Sequence, residues 1–101
     1  MSKIGVSFTV GVNDMFVKEV EVRNQVGLHA RPATFFIQKA NEFKSGIQVE
    51  KEERRVNAKS LLGVLSLGIV KGTVIKIIAE GIDETEAVGA LCQLITTNFS
   101  E

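Results

Sequence analysis

A chain of 101 residues, 45% hydrophobic and 24% charged, has the size and composition of one soluble globular domain, which argues against a multidomain enzyme, a disordered segment or a membrane-inserted protein. Twelve basic residues balance twelve acidic ones, so no overall field draws the chain to nucleic acid or an anionic membrane, and partners must be read by local patches. One Cys and one His can form neither an internal disulfide nor a closed zinc site, and no secretory segment opens the chain, so a reducing cytoplasm without structural metal or cofactor is expected.

Along the chain, Ile4, Val6, Phe8, Val10 and Val12 alternate with Gly5, Ser7, Thr9 and Gly11, which predicts an extra N-terminal strand ending at Asn13-Asp14. Residues 1–14 are expected as an extension that packs on an exposed edge or apolar surface, in the same chain or across a dimer, and 15–101 as the domain proper. Val20 and Val22 against Glu19 and Glu21 predict a strand with one wet face. Ala33, Phe36, Ile37, Ala40 and Phe43 then fall on one stripe, the pattern of an amphipathic helix.

Ile47 and Val49 alternate with Gln48 and Glu50, and a strand over 55–58 would pair with them through a turn at Glu52-Glu53. Ser60 is a natural N-cap for the apolar run that follows, and Gly68 a natural terminator. Ile75, Ile77 and Ala79 form the buried face of a further strand, leaving Val74 and Ile78 outward and in need of cover. In the last helix Asp83 can cap, Glu86 stands where a capping box places its acid, and Ala87, Leu91, Leu94 and Ile95 give the buried stripe. Gly89 weakens that helix, and Cys92 belongs to its core side. One-sided strands with amphipathic helices make an α+β two-layer sandwich, an antiparallel sheet with helices on one face.

Gly27-Leu28-His29-Ala30-Arg31-Pro32 carries the chemistry. Pro32 is tolerated only in the opening turn of a helix, which puts His29 at the N-cap, while disfavouring helical geometry at Arg31 and so marking a specialised backbone. An imidazole there faces unpaired helix amides and the positive end of the dipole, with a guanidinium two residues on. A phosphoryl group on His29 could take hydrogen bonds from both. The residues alone leave open a plain capping histidine beside a solvated arginine.

Gly27-Leu28-His29-Ala30-Arg31-Pro32-Ala33 resembles the active-site signature of HPr, the phosphocarrier family of the bacterial phosphoenolpyruvate:sugar phosphotransferase system. The segment Val56-Asn57-Ala58-Lys59-Ser60-Leu61-Leu62-Gly63-Val64, followed by Leu67-Gly68, is similar to the second family signature, and the likeness runs from Met15 to the C-terminus. It implies an open-faced sandwich of four antiparallel strands and three helices. It also implies that His29 is phosphorylated on Nδ1 by enzyme I and passes the group to IIA domains of sugar permeases, with Arg31 stabilising the phosphate. Ser60 matches the serine modified by HPr kinase/phosphorylase, and Leu61, Leu62 and Leu65 match an exposed docking patch. Glu53 stands where relatives commonly have glycine, which implies a longer turn or another turn type.

Two other readings keep the same residues. One is a regulatory module in which phosphorylated Ser60 controls a catabolite-control transcription regulator and His29 is incidental; the presence of His29, Arg31 and Pro32 favours the carrier. The other is a carrier of the nitrogen-related branch, which the sequence around Ser60 resembles less than the sugar branch. An independent hydrolase lacks any convergent acid–base set.

Overall fold

Alternation and helical spacing translate almost directly into the elements of the computed structural model, which describes residues 15–99. In chain order these are β1 (Phe16–Glu21), α1 (Ala30–Ala40), β2 (Gly46–Lys51), β3 (Arg54–Asn57), α2 (Leu61–Ser66), β4 (Val74–Glu80) and α3 (Glu84–Thr96). The strands form one antiparallel sheet in the order β1-β4-β2-β3, so the first strand pairs with the last. The three helices cover one face, the α+β open-faced sandwich expected. The strand expected before Asn13 lies outside the described residues.

The core fills the space between the layers. Ile47, Val49, Ile75, Ile77 and Ala79 point up from the sheet to meet Ala33, Phe36 and Ala40 of α1, Val64 of α2, and Ala87, Val88, Leu91 and Ile95 of α3, all buried. Burial of each larger aliphatic or aromatic side chain contributes about 1.5–3 kcal/mol, which keeps the helices on this face. Phe43 and Leu94 pack half-buried at its margin. Cys92 is also half-buried there, and burial pushes its thiol pKa up, which makes it a poor nucleophile.

Three expectations need correction. Asp83 sits at the N-cap of α3 but makes no side-chain cap; its carboxylate instead accepts from the amides of Lys44 and Ser45, both at 2.9 Å, and from the Ser45 hydroxyl. The acid that reaches back at this helix start is Glu84, which accepts from the Gly81 amide at 2.9 Å, so Glu86 closes no capping box with Asp83. The hairpin turn is not longer: Lys51 faces Arg54 in the register, which leaves two residues between the strands, and Glu52 and Glu53 take φ of 51° and 72°. Two positive φ values are the signature of a type I′ turn, carried here by two glutamates without glycine. On the outer face of the sheet Val74 is 54% exposed and Ile78 4%.

Candidate functional site

The loop before α1 leaves its histidine little choice of position. Gly27 has φ of 66°, and a Cβ there would stand 2.3 Å from the Ile69 carbonyl oxygen and 2.7 Å from Val70 Cα, so only glycine fits. The Leu28 amide donates to that Ile69 carbonyl at 3.0 Å while the Leu28 side chain is fully buried, and Asn24 Nδ2 donates to the Gly27 carbonyl at 2.9 Å. His29 follows as the N-cap of α1, in extended conformation and half-exposed. Its ring makes no capping bond. A plain capping histidine would use the ring on the helix amides; this one does not.

Backbone strain falls one residue before the position marked by Pro32. Arg31 is already inside α1, whereas Ala30 takes φ of 54°, a left-handed conformation costing a non-glycine residue about 1–2 kcal/mol. Nothing in the sequence signalled it, since alanine is the best helix former. Pro32 has no amide proton, so the nearest open donors of the first turn are the amides of Ala30 and Arg31. The Arg31 guanidinium lies over the Phe35 ring, 5.5 Å from its centroid, and among the described residues it has no carboxylate partner. His29, the first-turn amides and Arg31 therefore share one helix end, an arrangement that suits an anion covalently attached to the ring.

Ser60 stands apart from them. Its Oγ accepts from the Gly63 amide at 3.2 Å, the N-cap of α2. Just before it, the Lys59 carbonyl accepts from Asn41 Nδ2 at 3.4 Å and Lys59 Nζ donates to the Phe43 carbonyl at 2.7 Å, which ties this end of α2 to the far end of α1. The other end of α2 leads to Ile69 beside His29. The two helices thus run in opposite senses, with Ser60 and His29 at opposite ends of α1, about 16 Å at 1.5 Å per residue over its eleven residues. Between them α2 presents Leu61 at 43% exposure, Leu62 at 81% and a half-buried Leu65, while Val64 and Leu67 face the core. Val26 and Val70, which the sequence reading did not single out, are also exposed, next to Gly27 and Ile69.

A surface groove of about 540 Å³ between α1 and α3 is lined by Phe35, Gln38, Lys39, Glu42, Ala90, Gln93, Leu94 and Thr97 and does not include His29. A half-exposed histidine at a surface helix end, outside any such groove, suits docking against a partner better than enclosing a small molecule. Among the described residues no group of three or more His, Cys, Asp or Glu could hold a metal, and no helix is long and apolar enough to cross a membrane.

Comparison with known proteins gives the family and the fold. The family model described as the PTS HPr component phosphorylation site matches residues 16–97. An HPr-like protein Crh of Halalkalibacterium halodurans is 51% identical over 81 residues, 80% of this chain and 96% of its own. The phosphocarrier protein HPr of Neisseria meningitidis serogroup A is 45% identical over 87 residues, 86% of this chain and 98% of its own. The crystal structure of an HPr from Thermoanaerobacter tengcongensis superposes with a TM-score of 0.84 at 50% identity, over 85% of this chain and 97% of that one.

Proposed function

The chain belongs to the HPr family of the phosphotransferase system, whose members are phosphocarriers or HPr-like regulators, and from that premise we propose that it is a carrier with His29 as the phosphoryl acceptor. Nδ1 of His29 attacks the phosphorus of phospho-enzyme I; an N–P bond forms as the donor's bond to phosphorus breaks. A IIA domain of a sugar permease takes the group in a second, equivalent displacement. The observation that supports this most is a half-exposed His29 at a helix start whose ring is not used as a cap. Arg31 and the first-turn amides would meet the negative oxygens, at a helix end where they are already in place. Leu61, Leu62 and Leu65 form the apolar surface for enzyme I and IIA domains, in the cytoplasm where both act. Residues 1–14 stand as an extension outside the carrier domain.

The test is labelling by enzyme I and labelled phosphoenolpyruvate. Wild type should take an acid-labile label, His29→Ala should take none while keeping its circular dichroism spectrum, and Arg31→Ala should accept it about tenfold more slowly. Label retained by His29→Ala would assign the acceptor elsewhere.

A second reading gains from the likeness to a Crh protein and from the position of a half-exposed Ser60 at the start of α2. In it HPr kinase/phosphorylase modifies Ser60, and the product controls a catabolite-control transcription regulator. His29 makes the carrier the better reading, and the two roles can coexist in one chain. A carrier of the nitrogen-related branch would keep the chemistry of His29 with other partners.

A further inference from the structure

The docking surface belongs to a helix that cannot hold itself. Six residues are too few for a stable helix in water, so α2 depends on what grips its ends. Ser60 secures the first. The second is held from outside, by two cations of the β2-β3 hairpin: Lys51 Nζ donates to the carbonyls of Leu67 at 3.0 Å and Gly68 at 3.2 Å, and the Arg54 guanidinium donates to the Ser66 carbonyl at 3.2 Å and to its hydroxyl at 3.5 Å. Carbonyls at a helix C-terminus lack internal partners and carry the negative end of the dipole, so cations suit them. Among the described residues neither Lys51 nor Arg54 has a carboxylate in ion-pair range. One residue beyond Gly68, the Ile69 carbonyl receives the Leu28 amide that fixes the loop before His29.

We propose that Lys51 and Arg54 are positioning residues for phosphoryl transfer: they hold the last turn of α2 so that Leu61, Leu62, Leu65 and His29 meet one partner surface together. This rests on the carrier reading. Loss of Lys51 removes neither apolar area nor the nucleophile. It lets the last turn fray, and the partner must re-order that turn on docking, which weakens binding and leaves chemistry in the bound complex unchanged.

Full-length Lys51→Met, Lys51→Arg and Arg54→Gln should be compared with wild type in phosphoryl acceptance from enzyme I at several salt concentrations, alongside amide hydrogen exchange. The Leu67 and Gly68 amides, bonded to the Val64 and Leu65 carbonyls at 3.1 and 3.2 Å, report the turn itself. In Lys51→Met and Arg54→Gln we expect KM to rise about fivefold with kcat within about twofold, these amides to exchange about tenfold faster, and the salt dependence to match wild type. Lys51→Arg should restore all three. An unchanged KM overturns the proposal. So does a raised KM with unchanged exchange and a flattened salt dependence, which would mean that the cations touch an acidic partner directly. A wild-type chain that takes no label defeats the carrier reading; a labelled wild type indistinguishable from Lys51→Met defeats this inference alone.

Discussion

At the scale of single residues, His29 is placed by its neighbours' backbone: the Gly27 turn, the Leu28 amide on Ile69 and the left-handed Ala30 all act on the chain, leaving the ring free. Ser60 is the opposite case, a side chain engaged in its own helix. Aspartate is as good an N-cap as serine and a negative charge is welcome at a helix start, so Ser60→Asp should melt within a few degrees of wild type. The same charge stands beside Leu61 and Leu62, the exposed apolar surface proposed for docking, and on that proposal KM for enzyme I should rise about threefold to tenfold. Ser60→Ala, which loses the cap but adds no charge, should leave KM near wild type at a cost of about 1 kcal/mol in stability. Equal KM for the two variants would reduce Ser60 to a cap. The motif made His29, Arg31 and Ser60 legible in the sequence. Ala30 was not, because a left-handed dihedral angle at an alanine leaves no trace in residue type.

At the scale of elements, period carries most of the information. The stripe from Ala33 to Ala40 and the alternation of Ile75, Ile77 and Ala79 each name a buried face, and the structure buries them. What period cannot report is the partner of a polar side chain. Asp83 has the residue type of a cap, yet its carboxylate faces Lys44 and Ser45, far back in the sequence and adjacent only in the fold. The β2-β3 turn shows the same limit, since register forces positive φ on Glu52 and Glu53 against their preference. Glycine accepts that conformation without strain, at some entropic cost in the unfolded chain. Glu53→Gly should therefore gain about 0.5–1 kcal/mol, read as a melting temperature higher by a few degrees. Glu53→Gln keeps the strain and removes the charge; if it gains as much as glycine, repulsion between the two carboxylates and not the backbone is the cause.

For the whole molecule, Asp83 works as a clasp between the loop after α1 and the start of α3. Hydrogen bonds from the Ser45 hydroxyl, and then from the Lys44 amide, hold its pKa down at about 2 against an ordinary 3.8. A depressed carboxylate pKa means that the unfolded chain binds the proton first, so this stabilisation is complete above about pH 4 and is lost as pH falls through 2. The stability gap between wild type and Asp83→Asn, taken from urea unfolding, should be constant from pH 7 to 4 and close toward pH 2. A gap that persists at pH 2 would show that the clasp does not need the charge.

The order β1-β4-β2-β3 also sets a timetable during synthesis. β1 leaves the ribosome first, yet its partner is β4, so it waits unpaired until Glu80 has emerged, several seconds later at about 5–20 residues per second. β2 and β3 can close their hairpin in the meantime. Leu28 has no Ile69 carbonyl to bind until α2 has been made and passed. A nascent chain thus displays its histidine long before it can hold it in place, and a donor that needs the finished surface will ignore the unfinished one.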